Sequence, residues 1–336
     1  MKSTLQTIIP PYSLREKKVI NYINFIHNRF FQQDYNGKNI FSCHVIVRML
    51  FMDLLKKGKG IIFLIRADIL IAIGMCVLVG EIIALGSIPT ITEALLGFST
   101  AFFISASAMI VNDLFDLEVD KINAPHRPYP MKILSKNELI VLAIVTTLVG
   151  LTAAAFLGLI PLIISAIIWS LGFFYNYKLK ETGLPGNMMI STSIAGFFIL
   201  GGSAVGDPLN VILLTFSAMA FIFNLGSEIA MDAMDVEGDV KRNISTLAII
   251  FGKNIALKIS SVFYLTFILI SFIPYFMGWF DQNYLMLVTA INIALLYFVA
   301  KLLKSKTASE GRKRVRHLYY TVIFLLIAFV IGVIQT

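Results

Sequence analysis

Long apolar runs separated by short polar breaks set the pattern of this chain. They fall at roughly 61–86, 91–112, 138–158, 160–175, 187–205, 209–231, 255–276, 284–300 and 317–335. A helix rises about 1.5 Å per residue, so about 20 apolar residues cross the ~30 Å hydrocarbon core of a bilayer. Each run is therefore predicted to be a transmembrane helix, nine in all, and the fold class an all-α membrane protein. Residues 1–60 read differently. They hold Pro10, Pro11 and scattered Asn and Gln, then a mixed stretch from Ile40 to Lys57 broken by His44, Arg48 and Asp53, which predicts a helix lying in the membrane interface. The division is thus a basic cytoplasmic or interfacial extension, 1–60, and a membrane domain, 61–336. No short apolar stretch with a cleavage site opens the chain, so the first span is expected to direct insertion.

Composition agrees. Of 336 residues, 57% are hydrophobic and only 14% charged, too little polar surface to clothe a soluble protein of this length. Twenty-seven Phe and thirteen Met suit lipid-facing helices better than a single soluble core. The two cysteines, Cys43 and Cys76, have no spacing that suggests a zinc site or redox pair, and no role is assigned to them.

A net charge of +8 could signal nucleic acid, but its placement argues for topology. All 28 Lys and Arg lie from the start to Arg66 at the mouth of the first span, between spans two and three, four and five, and eight and nine, or from Lys241 to Lys258 around the start of span seven. The turns near Pro89, Pro161, Asp207 and Asp281 hold none. Positive loops stay cytoplasmic, so the N-terminus is expected inside and the C-terminus on the opposite side, with no nucleic-acid partner.

The acids are also unevenly placed: nine of the 20 fall between Asp113 and Asp120 or between Glu228 and Asp239. Asn112, Asp113, Asp116 and Asp120 leave span two with helical stagger, while Glu228, Asp232, Asp235 and Asp239 repeat a 4, 3, 4 spacing with Asn224 one turn earlier. Stacked like charges repel unless something positive lies between them, and hard divalent cations prefer carboxylate oxygen. Four crossings separate the two exits, which puts both windows at one membrane face. Asn224 and Glu228 lie inside the sixth span, where polar and ionisable groups mark a functional interior.

Two acidic windows at a lipid interface suit Mg²⁺-assisted loss of diphosphate from a lipid-borne allylic group, since Mg²⁺ is commonly held by one or two carboxylates plus phosphate oxygens. Lys121, Arg127, Lys178, Lys180, Lys241 and Arg242 sit on the same predicted face. Arg127 in APHRP and Lys178 in FYNYKLK are the preferred phosphate ligands. Each of these cations is equally explained by topology or lipid headgroups. A transporter or channel built on the intramembrane acids is the rival class, but it predicts acids reaching both faces. Beyond the windows only Glu81, Glu93, Asp207 and Asp281 lie toward the far side.

The segments NDLFDLEVDKINAPHRPYP, Asn112 to Pro130, YNYKLKETGLPGN, Tyr175 to Asn187, and EIAMDAMDVEGDVKRNISTLAIIFGK, Glu228 to Lys253, resemble the signatures of the UbiA superfamily of intramembrane prenyltransferases. The DVEGD form, with Glu228 four residues before Asp232, is most similar to archaeal geranylgeranylglyceryl-phosphate geranylgeranyltransferases, and chlorophyll synthases share part of it. The resemblance implies a bundle around a central cavity with a cytoplasmic cap of loops and short helices, and a lateral opening for the isoprenoid tail. It also implies two Mg²⁺ ions carrying the diphosphate between the windows. Carried over to this sequence, Asn112, Asp113, Asp116 and Asp120 serve the first ion, and Asp232, Asp235 and Asp239 the second. Candidate diphosphate ligands are Arg127, Lys178, Lys121, Asn224, Glu228, Asp68, Arg66 and Tyr175. The family's Arg-Pro opening is replaced here by Arg66-Ala67-Asp68, with Asp68 either standing in for a diphosphate-reaching Asn or sitting at the interface. Pro128-Tyr129-Pro130-Met131 replaces a small-residue run.

The expected reaction moves a polyprenyl group, geranylgeranyl by motif form, from its diphosphate to a lipid or aromatic acceptor. Tyr175, Phe174 and Phe115 are positioned to face an allylic cation, although lipid anchoring or packing explains such aromatics as readily. No general base stands out; His126 is the nearest imidazole.

Overall fold

The computed structural model describes residues 31–33, 39–41, 43–123, 125–241 and 244–335. Arg242 and the remainder of the N-terminal leader lie outside them, as does the side chain of Lys241. The chain divides into two units, Met1–Lys59 and Gly60–Thr336. The smaller holds an antiparallel pair, β1 (Phe31–Gln33) and β2 (Asn39–Phe41), with Gln32 opposite Ile40. It also holds most of helix α1 (Cys43–Leu64), on which Leu50, Phe51, Met52, Leu54 and Leu55 are exposed.

Every described element of the larger unit is helical. In order they are α2 (Ala67–Leu85), α3 (Ile91–Phe115), α4 (Leu117–Asn123), α5 (Lys136–Leu157), α6 (Leu159–Tyr177), a 3₁₀ turn (Leu179–Thr182) and α7 (Leu184–Ala204). Then come α8 (Val211–Lys241), α9 (Leu247–Phe251), α10 (Lys253–Ile270), α11 (Ile273–Phe276), α12 (Gln282–Leu303) and α13 (Ala308–Gln335). Among the described residues eight helices are long and apolar enough to cross a membrane, where the sequence predicts nine. The ninth run falls in α13, whose last side chains are outside the description.

The spans begin and end for local reasons. The apolar run from Ile61 does not enter the first span unbroken: α1 stops at Leu64, and Arg66 takes a left-handed conformation (φ 49°, ψ 63°) before α2 starts at Ala67. Thr90 and Ser135 open α3 and α5 with capping boxes completed by Glu93 and Glu138, each pair satisfying backbone N–H groups that a helix start leaves orphaned. Helix α8 runs ten residues past the expected end of its span, so the whole second acidic window rides on one rigid rod.

Helices α2, α3, α7 and α8 share an apolar core of residues such as Val77, Ile104, Phe197, Phe198 and Leu213, while α8, α10, α12 and α13 share another around Phe223, Leu257, Leu295 and Leu318. Helices α2 and α7 approach so closely that a Cβ at Gly201 would stand 2.2 Å from the Val77 carbonyl oxygen. Small residues allow such crossings in lipid, where van der Waals contact replaces the hydrophobic effect as the cohesive force. Buried hydroxyls follow the same economy: Thr100, Ser227 and Ser261 donate to carbonyls one turn back on their own helices.

Candidate active site

The first acidic window is built where α3 ends. Phe115 closes α3, Asp116 forms its C-cap (φ −90°, ψ 6°), and α4 restarts at Leu117, so the predicted continuous helix has a break at Asp116. The Asp120 N–H still reaches the Asp116 carbonyl at 2.8 Å, and the carboxylates therefore keep a nearly helical stagger. Asp113, Asp116 and Asp120 are all buried.

Three cations from other segments face them. One Arg127 nitrogen, Nη1, donates to Asp113 Oδ1 at 3.2 Å and to Asp120 Oδ2 at 2.5 Å. Arg66 approaches Asp113 at 3.8 Å. Burial first, and then the neighbouring Arg127, lower the Arg66 pKa, which Asp113 opposes; an arginine in this position stays charged. Lys180 Nζ lies 2.5 Å from Asp116 Oδ2. Because Asp113 and Asp120 aim at one guanidinium nitrogen, the positive centre that their stacking requires is present.

The second window lies along the last turns of α8. Asn187, at the start of α7, donates its amide to Asp232 Oδ2 at 2.7 Å, while Asp235 is held by Arg312 from the start of α13, which also reaches the Met234 carbonyl. Glu228 lies one turn deeper, beside Asn224.

The connection between spans four and five joins the windows. Lys180, paired with Asp116 of the first, is also an electrostatic neighbour of Glu228 in the second. The Tyr175 hydroxyl lies in the field of Asp116 and of Glu228, Asp232 and Asp239. This connection turns at Gly183 (φ +69°), which presses against the loop after α8: a Cβ there would meet the Ser245 carbonyl oxygen at 2.1 Å. Glycine alone supplies both the left-handed angle and the absent side chain.

Several sequence candidates sit elsewhere. Lys178 caps α6 and is exposed, whereas Lys180, two residues on, points into the acids. Lys121 is exposed and pairs with Glu118 at 2.6 Å. Asn112 donates to Asn176 at 2.9 Å, and Asn176 in turn donates to the Ala108 carbonyl, which locks α3 to α6. Asp68 is exposed in the first turn of α2. Phe115 and Phe174 are exposed and join an aromatic cluster with Phe173, which stacks on Trp169 and Tyr177. His126 is exposed and meets Phe63 edge-on. Asn187, Asn176 and Arg312 have no helical register with either window in the sequence, and the signal there is that Asn176 and Asn187 lie within the central motif.

Among the described residues, no three His, Cys, Asp or Glu side chains form a self-sufficient metal cage. The carboxylates of the two windows are hard oxygen donors, the chemistry that suits an ion of the Mg²⁺ type, which keeps waters and completes its shell with substrate phosphate oxygens.

Comparison with known proteins identifies the family. The UbiA prenyltransferase family model matches residues 73–333. A digeranylgeranylglyceryl phosphate synthase of Pyrococcus abyssi is 30% identical over 275 residues, covering 82% of this chain and 97% of the relative. One of Archaeoglobus fulgidus is 31% identical over 291 residues, covering 85% and 99%. A solved digeranylgeranylglyceryl phosphate synthase structure superposes with a TM-score of 0.66 at 28% identity, covering 83% of this chain and 99% of that one. A UbiA homologue from Archaeoglobus fulgidus bound to GPP and Mg²⁺ shares the fold, with a TM-score of 0.67 at 18% identity over 82% of this chain and all of that one. Residues 1–72 lie outside the family match. The apolar helices, the paired acidic windows and these likenesses together show that the chain belongs to the UbiA prenyltransferase family and is a multi-pass intramembrane prenyltransferase.

Proposed function

We propose that this enzyme transfers a geranylgeranyl group from its diphosphate to the hydroxyl of a prenylated glyceryl phosphate lipid. The names of its relatives at about 30% identity support this substrate pair. The observation that supports the siting is the junction at Tyr175 and Lys180: Lys180 pairs with Asp116 of the first window, and Tyr175 lies in the field of acids from both.

In this reading the diphosphate lies between the windows, with the isoprenoid tail among apolar spans. Mg²⁺, two ions in our reading, would be held by Asp113, Asp116 and Asp120 on one side and Asp232, Asp235 and Asp239 on the other, and would neutralise the charge of the departing diphosphate. Lys180, Arg127 and Arg66 supply further positive charge and orient the phosphates. The C1–O bond to diphosphate breaks and its electron pair leaves with the diphosphate. The acceptor oxygen bonds to C1 and its hydroxyl proton is released. The Tyr175 ring, half-buried at the junction, shields the allylic centre from water. The distribution of Lys and Arg supports a cytoplasmic mouth and N-terminus, with the C-terminus on the opposite side.

The test supplies purified protein with geranylgeranyl diphosphate, Mg²⁺ and, separately, geranylgeranylglyceryl phosphate or an aromatic acid. Transfer to the glyceryl phosphate that disappears in folded Asp116→Asn and Asp232→Asn variants is expected. Preferential transfer to the aromatic acid would replace the acceptor, and full turnover in either variant would remove that residue from the site.

A further inference from the structure

We infer that Tyr319, on the last helix, is a positioning residue for the second acidic window, acting through Asn224, Ser191 and Asn187. This rests on the reading that the window binds a metal-bound diphosphate. Four hydrogen bonds link three helices in sequence. Tyr319 Oη on α13 donates to Asn224 Oδ1 on α8 at 2.9 Å, and Asn224 Nδ2 donates to Ser191 Oγ on α7 at 3.1 Å. Ser191 Oγ donates to the backbone carbonyl of Asn187, one turn back on α7, at 2.7 Å, and the side-chain Nδ2 of Asn187 donates to Asp232 Oδ2 at 2.7 Å. Asn224, Ser191 and Asn187 are each buried, so no water competes for these groups and each bond keeps its full orienting force.

The direction of the chain is what gives Tyr319 its role. An amide side chain has one acceptor end and one donor end. With Oδ1 of Asn224 committed to the Tyr319 hydroxyl, its NH₂ must face Ser191 and the neighbouring Glu228. Rotating that amide would turn its oxygen toward the Glu228 carboxylate and remove the bond that holds Ser191. The Tyr319 ring is itself fixed, packed edge-on against Phe223 with centroids 5.6 Å apart. Through this chain a helix that contributes no acid to the window sets the carboxylate of Asp232.

The experiment uses full-length protein in detergent with pyrophosphate and Mn²⁺, following bound Mn²⁺ by electron paramagnetic resonance, alongside kcat and KM for the prenyl diphosphate. A hydrogen bond of ordinary strength in the chain predicts about 3- to 10-fold weaker Mn²⁺ binding in Tyr319→Phe, with a fall in kcat larger than the change in KM. Ser191→Ala interrupts the chain from another helix and is expected to match it, carrying the test if Tyr319→Phe does not fold. The Tyr319→Phe, Ser191→Ala double variant should lose no more than the worse single one, whereas independent effects would multiply. Tyr320→Phe, beside it but exposed, should bind Mn²⁺ as the wild type does. Wild-type Mn²⁺ affinity in folded Tyr319→Phe, or multiplying losses, would overturn the inference. Absence of pyrophosphate-dependent Mn²⁺ binding in the wild type would overturn the metal-bound diphosphate reading itself, and the inference with it.

Discussion

Replacing Arg127 by Gln tests whether the first window is an assembly of mutually repelling acids held by a shared cation. The change leaves Asp113, with 2% of its side chain exposed, and Asp120, with 8%, close together without the nitrogen that bonds both. Removing one partner from a buried pair costs about 3–5 kcal/mol. Two features lower that here: the Arg127 side chain is 23% exposed, and Arg66 remains 3.8 Å from Asp113. The expected loss is about 2–3 kcal/mol, which for a chain of this size is about 3–4 °C in unfolding midpoint. Thermal scans in detergent at one fixed rate would measure it. Adding Asp120→Asn to Arg127→Gln removes one of the stranded charges and should recover a large part of the loss, although Asp120→Asn alone destabilises. Millimolar Mg²⁺ should also raise the midpoint of Arg127→Gln more than that of the wild type, because a divalent ion can take the vacated place. If the two substitutions simply add, and Mg²⁺ shifts both proteins equally, the acids do not share a cation and the reasoning is wrong.

Three other outcomes follow from the geometry. Lys180→Met should lower prenyl transfer at least about 10-fold by removing one charge-assisted contact to the substrate or its acids, whereas Lys178→Met should stay within a factor of about 3; a steady-state comparison that reverses this order would return the phosphate role to Lys178. Gly183→Ala meets the Ser245 carbonyl and an unfavourable φ together, so a stability loss of at least about 1–3 kcal/mol is expected, and an unchanged unfolding midpoint would contradict the close loop contact. Chelation should stop turnover and added Mg²⁺ should restore it; steady transfer in excess chelator would remove the metal from the account.

The membrane helices were legible because their cause is local. An unbroken run of Val, Ile, Leu and Phe needs no partner to reveal that it belongs in lipid. The acidic windows were legible for the same reason, since helical stagger is a property of a single segment. The break at Arg66 was hidden because a lone basic residue within an apolar run looks like the mouth of a span, and a left-handed turn leaves no trace in hydropathy. The sequence favoured Lys178 over Lys180, two residues on. They separate only because α6 ends at Tyr177 and the following 3₁₀ turn aims the second inward. The pairings between distant segments were not legible: Arg312 meets Asp235 across 77 residues, Asn187 meets Asp232 across 45 and Tyr319 meets Asn224 across 95. Such pairings are products of helix packing, which no single segment encodes.

The most direct measurement is a structure of the enzyme with an unreactive geranylgeranyl diphosphate analogue and Mn²⁺, located by anomalous scattering. The account predicts one diphosphate bridging the windows, with metal density beside Asp113, Asp116 or Asp120 and also beside Asp232, Asp235 or Asp239. Metal at only one window, or a diphosphate bound away from Tyr175 and Lys180, would contradict it.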